Sequence, residues 1–252
     1  MPPRKQAFGI DVGGSGIKGA LVDISKGELL SERFRLDTPQ PSTPEAVARA
    51  CGEVAANVRY TGPVGLDFPG VVRGGVVLTA ANVDKNWIGT SLVGVAEPFL
   101  PGPVTALNDA DAAGLAEARF GAGKGHRGLV LMITLGTGIG TALVHDGRLV
   151  PNAELGHIEI DGHDAESRAA ASVRERKDLS WEDWAKRVEK YLQTLERLLW
   201  PELIILGGGV SKKADKWLPL VRTQTELAVA TMLNNAGIIG SALAAVEGVE
   251  AV

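Results

Sequence analysis

The chain has 252 residues, 45% hydrophobic and 22% charged, with a formal net charge of −4 and a pI near 5.7. This is ordinary globular composition, enough for one large or two modest domains, and the acidic balance argues against general affinity for nucleic acid or a membrane surface. Cys51 is the only cysteine, which excludes an intramolecular disulfide and a four-cysteine zinc site; the N-terminal residues lack the apolar core of a secretory signal and no run of about 18 apolar residues marks a membrane span, so a cytoplasmic location is expected.

Residues 7–12 (AFGIDV) read as a short apolar strand, 13–16 as a Gly-rich turn, 17–22 as a second strand and 28–36 as a third. Together they are expected to form an antiparallel meander. Thr43 then Pro44 is a helix start, a capping hydroxyl followed by proline at the first helical position. Val47, Cys51, Val54, Ala55 and Val58 continue it at helical spacing. Strands are expected at 64–68 and 76–79, an aperiodic loop at 80–89, a helix near 91–99 and a strand at 103–107. A helix over 110–120 follows. Asn108 and Asp109 therefore sit where a strand's carboxyl end meets a helix start, the place where ligands collect in α/β sheets. Asp109 there either caps the helix or accepts a proton from an alcohol.

A second strand–turn–strand unit spans 129–144, with Gly136-Thr137-Gly138-Ile139-Gly140 as its turn. It echoes the first and suggests an internal duplication. Residues 165–178 are expected to be helical. Ser180 opens a further helix with an apolar face from Trp184 to Leu199, and Pro201 stops it. A core strand at 203–206 ends in Gly207-Gly208-Gly209, and helices are expected at 219–234 and 238–246.

Four constellations carry chemistry. In the first turn, Gly13 and Gly14 allow backbone N–H groups to approach a phosphate, Ser15 adds a hydroxyl, Lys18 a positive charge, and Asp11 can organise Mg²⁺ through water. The GxxxxGK[ST] pattern of a Walker loop is absent. The Gly136–Gly140 turn, with Thr137 and Gly138, is followed by a strand rather than a helix, which disfavours nicotinamide binding and fits a second phosphate clamp. Gly208 and Gly209 precede an expected helix whose N–H groups attract an anion or a nucleotide's polar edge. Residues 154–161 (ELGHIEID) supply polar side chains suited to sugar hydroxyls. Zinc at His157, His163 and Asp164 matches none of the standard structural zinc spacings.

These motifs, in this order, resemble those of the ROK family of sugar kinases: the 11–18 turn, Asn108-Asp109, the run from Leu135-Gly136-Thr137-Gly138 to Glu154-Leu155-Gly156-His157, and Gly207-Gly208-Gly209 on the adenosine side. The sequence departs from most of that family in having no cysteine between 158 and 172, where a zinc motif normally lies, so no structural zinc is expected. Within the family, the segments 79–89 and 159–166 look like those of the actinobacterial polyphosphate glucokinases. The resemblance implies an α/β, two-domain actin-like or hexokinase-like (ribonuclease H-like) fold with a central cleft. It places the domains at 1–108 and 109–236, with a last helix, about 237–252, returning to the first. It also implies phosphoryl transfer to O6 of glucose from inorganic polyphosphate and from ATP. Asp109 is then the general base. Gly70, through its N–H, with Asn108, Glu154, His157 and Glu166, would hold the sugar. Gly13, Gly14, Ser15, Lys18, Thr137, Gly138, Gly208 and Gly209 would face the donor, and Asp11 would organise Mg²⁺. A homodimer is implied. Other acceptors (mannose, fructose, an N-acetylhexosamine) with ATP alone stay open. A sugar-binding repressor of the same family would carry a DNA-binding domain ahead of the strand that begins here at residue 7. A polyphosphate donor asks for a basic track, for which Lys85, Lys124, Arg148, Arg168, Arg174, Arg176, Lys177, Lys212 and Lys213 are candidates.

Overall fold

The computed structural model describes residues 6–81 and 83–248. It divides into two compact units, one running to Ala116 and resuming at Asn234, the other Glu117–Leu233. The first contains β1 (Gln6–Val12), β2 (Gly16–Asp23), β3 (Glu28–Leu29), β4 (Phe34–Asp37), α1 (Pro44–Ala56), β5 (Val64–Phe68), β6 (Val72–Arg73), β7 (Val76–Val77), α2 (Leu92–Ala96), β8 (Val104–Asn108) and most of α3 (Asp109–Phe120). The second contains β9 (Leu129–Leu135), β10 (Ile139–His145), β11 (Arg148–Val150), β12 (Glu159–Ile160), β13 (His163–Asp164), α4 (Glu166–Ala169), α5 (Ala171–Arg176), α6 (Trp181–Leu199), β14 (Leu203–Gly207) and β15 (Glu226–Val229). The chain then returns to the first unit as α7 (Ala236–Glu247). The last residues expected in that helix, 249–252, lie outside the described residues, as does Asn82 of the 79–89 segment.

The two sheets repeat one topology. Their orders are β3-β2-β1-β5-β8, with β4 also on β2, and β11-β10-β9-β14-β15. In each, a hairpin leads and parallel strands follow. The duplication suggested by the two Gly turns therefore extends to the whole sheet.

Local signals explain most elements. The Thr43 side chain accepts the Ala46 N–H at 3.4 Å with Pro44 at the first helical position. Ser180 accepts the Asp183 N–H at 3.0 Å, and Trp200, in a left-handed conformation, ends α6 before Pro201. The strand expected over 28–36 is split in two. Leu30 N–H pairs with Leu21 O, but Leu21 N–H goes to the Ser31 hydroxyl instead of a backbone carbonyl, so the ladder breaks before Phe34. The helix expected over 219–234 does not form. β15 occupies part of it, pairing parallel to β14, and the buried Glu196 carboxylate accepts the Thr225 N–H at its entry. The division between units falls inside α3 and not at Asn108. Ala112 O packs against Gly240 of α7, whereas the Glu117 carboxylate accepts the Met232 N–H at 2.6 Å in the second unit.

α7 rests directly on sheet backbone. Gly9 and Gly65 are partners on β1 and β5, and a methyl group on them would stand 1.8 Å from Ile238 O and 1.7 Å from Ser241 O. Only glycine permits that approach, and both contacting atoms are backbone that cannot turn aside. Gly65→Ala is therefore expected to destabilise the protein by about 2–3 kcal/mol, the usual cost of overpacking. Urea unfolding would read this as a lower midpoint; a loss of under about 0.5 kcal/mol would contradict the contact.

Candidate active site

One rung of the first sheet carries four charged residues. Strand register aligns Asp67 (β5) with Asp11 (β1), Asp11 with Lys18 (β2), and Lys18 with Arg35 (β4). Paired residues share a face of the sheet, so two carboxylates and two cations stand in line. Lys18 Nζ donates to Asp11 Oδ2 at 2.8 Å. Asp67 is fully buried; its Oδ1 accepts the Val12 N–H at 3.2 Å and its Oδ2 the Ser241 hydroxyl of α7 at 3.0 Å. Burial, and then the neighbouring Asp11 and Asp109 carboxylates, hold the Asp67 carboxyl well above the usual carboxylate range. Asp67 was not among the residues the sequence singled out. Its only signal is a lone carboxylate inside the apolar run Val64–Phe68.

At the carboxyl end of β8 the two adjacent polar residues divide the work. Asn108 is buried and acts as the cap of α3: its Oδ1 accepts the N–H groups of Ala110 at 2.8 Å and Asp111 at 3.1 Å. Its Nδ2 donates to Gly70 O at 3.1 Å. Asp109 is exposed, and its Oδ1 shares the Ala110 N–H at 2.8 Å. The Gly70 N–H, expected to meet a sugar hydroxyl, donates to Phe68 O at 2.8 Å, and the Gly70 carbonyl accepts from Asn108.

Each Gly turn is closed by a backbone hydrogen bond of its own. Gly13 N–H donates to Gly16 O, and Gly136 N–H to Gly138 O, each at 2.9 Å. Thr38 braces the first by donating to Gly13 O at 2.6 Å, leaving Gly14 and Ser15 exposed. Ser172, at the start of α5, braces the second through its N–H to Gly136 O at 3.1 Å and its hydroxyl to Thr137 O at 2.7 Å.

The second unit gathers Glu154, His157 and Glu166 around this turn. Glu166 Oε2 accepts the Ile139 N–H at 2.7 Å, directly after Gly138. The loop carrying Glu154 is pinned to β10, where Leu155 N–H donates to the Thr141 hydroxyl at 3.0 Å. His157 is exposed, and its Nδ1 lies 2.8 Å from Asp164 Oδ2. That hydrogen bond, with the charges of Asp164, Glu166 and Glu154, outweighs desolvation and raises the His157 pKa. Burial alone would push the Asp164 carboxyl up, but bonds from His157 and the Ser167 N–H hold it below the usual range. Asp164, considered in the sequence only as a zinc ligand, is thus the orienting partner of His157. Among the described residues no three or more His, Cys, Asp or Glu side chains are grouped to hold a metal directly.

Gly208 has φ +82°, and a methyl group there would meet Leu135 O at 2.3 Å, so the glycine sits against the strand end that leads into the second turn. The chain continues from it as a kinked 3-10 segment, Gly209–Lys216, in place of the α-helix expected after the glycines. Of the expected basic track, Arg174 stacks on the Trp181 ring at 3.6 Å and Lys85 donates to Ala80 O.

The ROK family model matches residues 7–172. The polyphosphate glucokinase of Mycobacterium tuberculosis is 53% identical over 244 residues, covering 96% of this chain and 92% of that protein. The crystal structure of an inorganic polyphosphate/ATP-glucomannokinase from Arthrobacter sp. strain KM superposes with a TM-score of 0.89 at 53% identity, covering 95% of this chain and 98% of that one. A ROK family glucokinase from Streptomyces griseus, crystallised with glucose and AMPPNP, matches with a TM-score of 0.82 at 26% identity, covering 96% and 100%. With sequence, fold and site motifs in agreement along nearly the whole chain, it belongs to the ROK family of sugar kinases, with their hexokinase-like actin fold.

Proposed function

We propose that this chain is a polyphosphate glucokinase, transferring a phosphoryl group from inorganic polyphosphate, and from ATP, to O6 of glucose. The observation that carries the chemistry is the division of labour at the end of β8: Asn108 caps α3, and the neighbouring Asp109 carboxylate stands exposed. The identity to the mycobacterial enzyme supports glucose and polyphosphate as the substrates. The likeness to a glucomannokinase favours mannose as a second acceptor.

Phosphoryl transfer asks the protein mainly for positioning and charge neutralisation. Asp109 takes the O6 proton as the hydroxyl attacks. Glu154, His157 and Glu166 hold sugar hydroxyls, and Asn108 holds Asp109 in register while offering its second Nδ2 proton. Gly13, Gly14 and Ser15 with Lys18, and Thr137 and Gly138, present N–H, hydroxyl and ammonium donors to the phosphates. Gly208 and Gly209 are the surface for an adenosine when ATP is the donor. Mg²⁺ keeps most of its water and takes one or two carboxylates plus substrate phosphates; Asp11, 19% exposed, fits as its carboxylate and would help neutralise donor charge. We also place the protein as a cytoplasmic homodimer, for which the exposed Leu198 and Trp200 at the end of α6 are apolar surface to cover.

Asp109→Asn is expected to lower kcat by about 10²–10⁴-fold, the usual worth of general-base catalysis, while glucose affinity measured by calorimetry stays within about threefold. Unchanged turnover would remove Asp109 from the base role. Asp164→Asn should move the His157 titration, followed by NMR of its ring protons, to lower pH, because the hydrogen bond and charge that favour the imidazolium are lost. It should also raise the glucose KM more than it lowers kcat. A titration left in place would show that Asp164 does not orient His157.

A further inference from the structure

Arg35 stands at the donor turn. Its guanidinium lies over Gly16, where a methyl group would come within 2.6 Å of Nε, and it donates to Ser15 O at 3.0 Å. It is the last member of the charged rung, beside Lys18, on a strand paired to the outer side of β2. The two cations are in different states. Lys18 is three-quarters covered and committed to Asp11, whereas Arg35 is 48% exposed and its second partner, Asp37, is 86% exposed. A phosphate seated on the Gly13–Gly16 turn would have Lys18 beneath it and Arg35 at its outer flank.

From this geometry we infer that Arg35 is a donor-selective residue: it binds the phosphoryl groups of an inorganic polyphosphate chain as they leave the Gly13–Gly16 turn. The inference rests on the polyphosphate reading above. The chemistry separates the two donors. A nucleoside triphosphate ends in an uncharged sugar and base after its third phosphate, while a polyphosphate continues with a negative charge on every unit. A guanidinium at the flank of the turn gains from the continuing chain, with a planar fork suited to phosphate oxygens. Asp37 is its competitor, since it occupies Nη1 at 2.7 Å and adds a negative charge where the chain would pass.

The test is equilibrium binding of nucleotide-free polyphosphate and, separately, of ATP, by calorimetry without glucose, for the wild type, Arg35→Gln, Arg35→Lys and Asp37→Asn. Arg35→Gln should weaken polyphosphate binding by about tenfold, the scale of one charge-assisted hydrogen-bonded contact, with ATP affected by less than about threefold. Arg35→Lys should recover part of the loss, and Asp37→Asn should tighten polyphosphate binding severalfold. Equal weakening of both donors by Arg35→Gln would mean that Arg35 only braces the Ser15 carbonyl, and would overturn the inference. So would unchanged polyphosphate binding in Arg35→Gln and Asp37→Asn, or no binding by the wild type. Should Arg35→Gln fail to fold, Arg35→Lys and Asp37→Asn decide the matter alone. Polyphosphate that binds through Arg35 yet never phosphorylates glucose would defeat the kinase reading and leave the Arg35 assignment standing.

Discussion

Two carboxylates on adjacent parallel strands, Asp11 and Asp67, set the constraint that the first unit is built around. Side by side at one rung, in a sheet covered by α7, they cannot both carry an uncompensated charge. The chain resolves this from two sides. Lys18 neutralises Asp11 from β2, and burial beside Asp11 raises the Asp67 pKa well above the usual carboxylate range, with the Ser241 hydroxyl of α7 on its Oδ2. That bond reaches only because α7 lies against the bare backbone of Gly9 and Gly65. Packing of the last helix and electrostatics of the first turn are therefore one arrangement: lifting α7 would strip Asp67 of a partner and disturb the carboxylate beside it.

The same economy appears at the end of β8. A single buried amide satisfies two orphan N–H groups of α3 and holds the Gly70 carbonyl. A helix start normally asks for a capping side chain; here Asn108 meets that need, and Asp109, next in sequence, stands on the exposed side. In the second unit Asp164 Oδ2, 2.8 Å from His157 Nδ1, fixes a ring that would otherwise rotate. Asp164 is itself anchored, its Oδ1 accepting the Ser167 N–H.

Much of this could be read from residue types. The alternation and Gly turns at 7–22 and 129–144, the Thr43-Pro44 and Ser180 helix starts, and the strand-to-helix step at Asn108 are all local signals, and the structure follows them. The failures are places where a distant group decided the outcome. The strand at 28–36 breaks because Ser31 captures Leu21 N–H across the hairpin. The segment 219–234 has enough apolar residues for a helix, yet β14 offers an open edge and Glu196 a waiting acceptor, so it becomes a strand. Arg35 carried no signal, since a basic residue in an alternating strand reads as solvated surface until register places it against the Gly13–Gly16 turn.

Movement of a phosphoryl group from an inorganic chain to a sugar is the chemistry to which all these residues are assigned. Mixing purified protein with glucose, Mg²⁺ and nucleotide-free polyphosphate, and following glucose 6-phosphate beside a parallel reaction with ATP, puts that assignment to the test. Glucose 6-phosphate should form clearly with polyphosphate as the only donor. Turnover with ATP alone, or with neither donor, would contradict the assignment.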